Sequence, residues 1–218
     1  MDTKAEKRNR IYLSREAGPE LIGYIRSLGV EIVFAEPIAR VARPVMNHAD
    51  LVYCRLKDDE VFAGDPKRLE AAYPGDVIYN GCSTGKYFIH NLKYTDEDLL
   101  RRVEDLGLKK VDVKQGYARC SITPVDEESI ITYDRGIAQA METAGIKALL
   151  VEPGQVELPG YDHGFLGGTS GRVGDEIIFN GDLSRHGDFE RIKAFIEERG
   201  LRVIYFEGYP LRDIGSIV

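Results

Sequence analysis

The sequence predicts an α/β fold of five ββαβ units, related by a pseudo-fivefold axis and closed into a ring. Three observations predict it. A helix-ending glycine followed by a mostly apolar strand recurs as GVEIVFAEP (29–37), GIKALLVEP (145–153) and GLRVIYFEG (200–208). GLKKVDVKQG (107–116) is a more polar copy and PGDVIYN (74–80) a shorter one. A return strand is written three times, as DEVFAGD (59–65), DEESIITYD (126–134) and DEIIFNGD (175–182), each after an apolar strand and before a helix. The fifth hairpin is split between the chain ends, DIGSIV (213–218) and RIYLS (10–14). Pairing those halves would close the ring and remove the exposed sheet edges of an open array. Repetition of this kind outranks local propensity when a fold is read.

Taken in order, residues 1–9 are expected to be a disordered lead-in, and 10–218 form one domain without a Pro/Gly/Ser linker. Strand IYLS (11–14) precedes a helix with Pro19 in its first turn, an apolar face of Leu21, Ile22, Ile25 and Leu28, and Gly29 as its stop. A helix or single turn near Lys67 to Ala72 comes next. A longer helix runs from Thr95 to Leu106, with Thr95 and Asp98 read as its capping box and Leu99, Leu100, Val103 and Leu106 on one face. A short helix between Arg135 and Ala144 and one around Phe189, Ile192, Phe195 and Ile196 complete the set.

Composition narrows the function classes. The chain has 218 residues and a net charge of −7, with acidic residues scattered along it, which argues against a general nucleic-acid binder or a basic membrane-surface protein. No apolar run approaches the ~18 residues of a membrane span, and the polar start MDTKAEKRNR lacks a signal-peptide core. Three cysteines with no CxxC pair form no disulfide framework, so a reducing cytoplasm is the expected compartment.

Cys120 stands out among the three. It sits at the mouth of the hairpin made by SITPV (121–125), the turn Asp126-Glu127-Glu128 and SIITY (129–133), behind a Gly-containing approach and next to Arg119. That setting suits a reactive thiol, while a small buried hydrophobe is the alternative for any free cysteine. Cys54 lies inside the apolar LVYC. Cys82 lies in NGCSTGK (80–86), at another hairpin mouth, where the GxxxxGK[ST] spacing of a phosphate loop is absent. The Gly-rich LPGYDHGFLGGTSGRVGDE (158–176) implies close backbone approach to a ligand or a tight inter-unit loop. Its His163 with Asp162, and His186 with Asp188, have no recognised metal-ligand spacing and read as surface turns.

Five such units resemble the pentein fold, the propeller of the guanidino-group-modifying enzymes, which include arginine and agmatine deiminases and dimethylarginine dimethylaminohydrolases. Three stretches carry the resemblance. QGYARCSITP (115–124) is similar to the deiminase nucleophile segment, with Arg119 where a His usually precedes the Cys. NHADLVY (47–53) matches the His-x-Asp motif at His48 and Asp50. LRDIGS (211–216) is the nearest match to the Gly-Gly-Asp carboxylate motif, at Asp213 and without its Gly-Gly. The carboxylate unit directly precedes the His unit around the ring, and the Cys lies two units beyond it. That is the family order in a chain that begins elsewhere, as in a circular permutation. The chain is shorter than most deiminases.

The resemblance implies a catalytic Cys120, His48 and Asp213, and substrate binding by Asp50, Arg119, Gly168, Thr169 and Arg172. The two arginines would hold a substrate carboxylate. The implied reaction is hydrolysis, less readily group transfer, of a small molecule carrying a guanidinium or amidine, through a covalent thiol intermediate and without a metal or other cofactor. A resonance-deactivated guanidinium carbon needs a thiolate nucleophile, a histidine to protonate the departing amine, and carboxylates to hold the cation. No nucleic-acid or membrane partner is implied, and a homo-oligomer stays open. The competing function class is a non-catalytic pentein used as a binding surface, as in the ribosome anti-association factor that shares the fold. Turn carboxylates and a capping histidine are the structural alternatives for Asp50, Asp213 and His48.

Overall fold

The computed structural model describes residues 10–57 and 60–218, so the lead-in expected at 1–9 lies outside the described residues. Its secondary structure follows the repeats. In chain order, β1 (Arg10–Leu13), α1 (Pro19–Ser27) and β2 (Glu31–Phe34) come first, then β3 (Tyr53–Arg55) and β4 (Val61–Ala63). Next are β5 (Cys82–Ser83), β6 (Tyr87–His90), α2 (Glu97–Asp105) and β7 (Lys109–Asp112). The one-turn helix α3 (Ala118–Ser121) leads into β8 (Ile122–Asp126), β9 (Ser129–Thr132), α4 (Arg135–Thr143) and β10 (Lys147–Leu150). Last come β11 (Ser170–Val173), β12 (Glu176–Phe179), α5 (Phe189–Glu197) and β13 (Arg202–Ile204). The architecture is mixed α/β, with the described strands in five small sheets.

Three sheets repeat one pattern: a hairpin, β5–β6, β8–β9 or β11–β12, then a helix, then a strand parallel to the second of the pair. In a fourth, β1 and β2 are parallel around α1. Its hairpin partner comes from the far end of the chain, where Tyr12 and Val218 exchange both backbone hydrogen bonds, at 2.6 and 3.1 Å. The pairing is confined to Val218. Ser216 N–H and Ile217 N–H instead reach back to Gly168 O and Ser170 O at 2.8 and 3.0 Å.

The four longer helices are each nine residues and each buries an i, i+4 pair: Leu21 and Ile25, Leu99 and Val103, Ile137 and Met141, Ile192 and Ile196. That spacing places both side chains on one face. Each pair enters a different apolar cluster beneath its helix and contributes ~3–6 kcal/mol of burial as an upper bound. A left-handed glycine ends each of these helices, at φ 72° for Gly29, 67° for Gly107, 76° for Gly145 and 73° for Gly200. The recurrent glycine in the sequence is therefore a helix stop.

Two expectations are corrected. PGDVIYN (74–80) is a run of turns rather than a strand, so the β3–β4 sheet is two-stranded; near Lys67 the single turn that the sequence allowed is the 3-10 turn Pro66–Arg68. Tyr79 in that stretch is instead buried under Phe62, and Asp96 N–H bonds to Ile78 O. The cap of α2 is Asp96, whose carboxylate accepts from Asp98 N–H and Leu99 N–H. Thr95 Oγ1 is engaged with His90 and Asn91 O.

The hairpins also touch in sequence. β3 lies against β5, β5 against β8, and β8 against β11. Thr123 and Ser170 hydroxyls bond across the β8–β11 contact at 2.7 Å. Asp50 N–H bonds to Gly215 O, and Tyr12 stacks on Tyr53 at 4.1 Å, joining the terminal segment to the β3 hairpin. The segments that precede β3, β8 and β11 thus converge with the C-terminal segment at one point.

Candidate functional site

At that point Cys120, His48, Asp50 and Asp213 come together, all at most 2 % exposed. Cys120 stands on α3, whose turn ends at β8, so the thiol is presented where the hairpin opens. His48 precedes the 3-10 turn Ala49–Leu51 that carries Asp50. Cys120 Sγ, a His48 ring nitrogen and an Asp213 carboxylate oxygen lie within 4.8 Å of one another. The thiol donates to Asp50 Oδ2 at 3.0 Å, and Ser216 Oγ donates to the same oxygen at 2.6 Å. Asp213 accepts Phe165 N–H at 2.9 Å and Gly215 N–H at 3.0 Å. His48 Nδ1 is 3.9 Å from Asp213 Oδ1, beyond a hydrogen bond. His48 Nε2 and Asp50 Oδ1 are buried without a partner. Buried polar atoms are rarely left so.

The close packing explains two glycines. A Cβ on Gly168 would lie 2.0 Å from Asp213 Oδ1, and one on Gly215 2.2 Å from His48 Cβ. Gly168 therefore makes room for the carboxylate. Ser216 adopts φ 65°, a region that costs a non-glycine residue strain, and in that conformation its hydroxyl meets Asp50.

Burial dominates the electrostatics. It pushes the Cys120 thiol well above its ordinary value, and the charges of Asp50 and Asp213 push it further. It raises Asp50, against the opposing effects of His48, Ser216 and Cys120, and lifts Asp213 to about 6. It lowers His48, which favours the neutral imidazole. The site is a protonated thiol and a neutral histidine between two acidic groups. A ring nitrogen, a thiol and a carboxylate are also a donor set that Zn²⁺ accepts.

Cys120, His48 and Asp213 line a cavity of about 90 Å³, and Asp50 stands behind the thiol. Its wall is Val45, Leu158, Tyr117, Tyr161 and Phe165, with His163 beside them. His163, expected in a surface turn, belongs to the wall, and Phe165 stacks on Tyr133 at 5.6 Å. Tyr117 donates its phenol proton to Asp76.

Other expected residues stand elsewhere. Arg119, expected to meet substrate and to lend Cys120 a positive neighbour, turns its guanidinium away. It donates to the carbonyls of Ile122, Gly167, Ser170 and Ile217 at 2.7–3.3 Å. Arg172 donates to Val125 O and Gly174 O. Both arginines line a different cavity of about 490 Å³ that contains none of the four clustered residues. Thr169 is spent on Leu166 O. Cys54 is buried, with its thiol on Gly81 O at 3.2 Å. Cys82, which the sequence places in a loop, is wholly buried, and burial raises its thiol to about 11.

Asn80 is the residue that sequence reasoning missed. Its Oδ1 accepts Arg119 N–H at 3.0 Å and Cys120 N–H at 3.3 Å, while its Nδ2 faces Asp50 O at 3.1 Å and Cys120 Sγ at 3.5 Å. It ties the cysteine turn to the His-x-Asp turn. The signal was the dipeptide Asn-Gly, which follows Tyr79 as it follows Phe179 in a second unit.

Residues 63–218 match the model of a family of unknown function, DUF6873. The chain belongs to that family. The matched segment takes in Asn80, Cys120, Asp213 and Ser216, while His48 and Asp50 precede it. No curated protein and no solved structure matches the chain. Among the described residues no helix is long and apolar enough to cross a membrane.

Proposed function

We propose that the chain is a five-unit ring of the pentein type and a cysteine-dependent hydrolase of a small guanidinium or amidinium compound. The observation that carries this reading is the meeting of Cys120, His48 and Asp213 within 4.8 Å, with Asp50 on the thiol, at the floor of a cavity. The ring reading rests on the repeated hairpin–helix–strand sheets, the hairpin-to-hairpin contacts and the Tyr12–Val218 pairing.

The chemistry follows from the charge balance. With Asp50 on the protonated thiol and Asp213 close by, the site favours a cation, and a planar guanidinium would bond to Asp50 and Asp213. Its positive charge would offset theirs and release the thiol proton to His48. The thiolate attacks the central carbon, forming the S–C bond. His48 returns the proton to one nitrogen, the C–N bond breaks, and ammonia or an amine leaves. His48 then takes a proton from water, the hydroxide adds to carbon, and the C–S bond breaks to regenerate the cysteine. A guanidinium plus water thereby gives a ureido compound and an ammonium ion. Asn80, bonded to Cys120 Sγ, favours the thiolate once formed.

The test is release of ammonia or amine from alkylguanidines and amidines by the full chain. Rapid quenching and intact-mass measurement would look for an amidino adduct on Cys120. Activity and adduct should both vanish in Cys120→Ser. Turnover that survives Cys120→Ser would exclude the mechanism.

A further inference from the structure

The cavity that holds Cys120 differs in charge from what a guanidino acid requires. Its floor carries Asp213, with Asp50 bonded to the thiol just behind it. Asp76 stands behind one wall, paired to Tyr117 and with its other oxygen buried and unpartnered. Among the described residues, no lysine or arginine side chain lines this cavity. Arg119 and Arg172 are bonded to backbone carbonyls around the separate cavity. A carboxylate on the substrate's tail would therefore meet a site of its own sign and find no cationic partner there, which costs affinity.

Size and shape decide where the tail goes. At about 90 Å³ the cavity has the volume of roughly three waters, enough for a planar head and little more. Its wall is largely aromatic and is backed by further rings. Tyr161 is 51 % exposed at the rim, Phe165 stacks on Tyr133, and Tyr117 stacks on the half-exposed Tyr73 at 6.3 Å. A methylene chain can lie against these rings, and a cationic tail gains from their faces. A carboxylate gains from neither.

We infer that the ligand of the Cys120 cavity is an N-alkyl guanidinium or amidinium with a neutral or cationic tail against the Tyr161–Phe165 rim, and that guanidino acids are rejected. The inference rests on the cation-binding reading of the site proposed above and specifies its substrate class.

Titration calorimetry on the Cys120→Ser chain, which cannot turn over, tests it at pH 8, where an ordinary imidazole is uncharged. The probes share one head: methylguanidine, butylguanidine and agmatine against guanidinoacetate and arginine. The alkyl probes and agmatine should bind more tightly than the two acids by about tenfold or more. Butylguanidine should exceed methylguanidine by up to about fourfold per added methylene. Tyr161→Arg at the exposed rim should narrow the gap by giving the acids a partner. Arginine or guanidinoacetate binding as well as butylguanidine would overturn the tail assignment and leave the head-binding reading intact. An unchanged gap in Tyr161→Arg would overturn the placement at this rim. Failure of every probe to bind would remove the cation site and the inference with it.

Discussion

Replacing Asp50 with Asn should change the site in two opposite directions. Asp50 Oδ2 is 3.0 Å from Cys120 Sγ and holds the thiol proton. Burial is the largest cause of the raised thiol pKa and Asp50 the next. Asp50→Asn keeps an oxygen for Ser216 and removes the charge. Removing that neighbouring negative charge lowers the thiol pKa, so the thiolate fraction near pH 8 should rise. Iodoacetamide should then modify Cys120 faster in the variant. The rate would be read by quenching and peptide mass mapping, with the shielded Cys54 and Cys82 as internal references. Affinity for butylguanidine should fall over the same substitution, by ~1.5–3 kcal/mol for a lost charged hydrogen bond. Faster alkylation with weaker binding is the signature of a carboxylate that suppresses the thiolate until a cation arrives. Unchanged or slower alkylation in a variant with a native unfolding curve would refute this role, as would Cys82 reacting before Cys120.

Two further outcomes follow from the fold and its buried charges. Burial raises Asp213 from its ordinary value to about 6, so folding takes up a proton there. Its contribution is full below ~4 and lost as pH rises through 6, on the order of 3 kcal/mol. The stability difference between the parent and Asp213→Asn, from urea unfolding at pH 4.5 and 7.5, should change in that direction. A pH-independent difference would contradict it. Deleting Ile217 and Val218 removes two side chains at most 3 % exposed, the Tyr12–Val218 bond pair and the Ile217 N–H bond to Ser170. The loss is about 5–10 kcal/mol, comparable with a domain's whole stability. Thermal unfolding at the parent's temperature would show that the closing segment contributes nothing.

Much of the fold was legible because its signals are local. An apolar pair four residues apart, followed by a glycine, specifies a helix and its stop wherever it occurs, as Leu99, Val103 and Gly107 show. The Tyr12–Val218 pairing could be anticipated because RIYLS and DIGSIV are each half of a pattern complete elsewhere in the chain. PGDVIYN misled for the same reason. Its apolar residues are written like a strand, but Tyr79 is buried by a tertiary contact with Phe62 and Gly64 while the backbone turns.

For the site, the sequence by itself determined which residue types stand at the hairpin mouths, and so which side chains could meet. Cys120, His48, Asp50 and Asp213 are brought together in the structure. Direction and charge were decided only by the tertiary structure. Arg119 is adjacent to Cys120 in sequence, yet neighbours on a one-turn helix point different ways, and four carbonyls from the β8 hairpin, the β11 hairpin and the C-terminal segment capture its guanidinium. A thiol expected beside a cation thus sits between carboxylates instead. Asn80, Gly168 and Ser216 acquire their roles only through contacts between segments far apart in the chain, of which a repeated Asn-Gly was the sole trace in the sequence. Long-range geometry of that kind is set by packing, and packing has no one-dimensional signature.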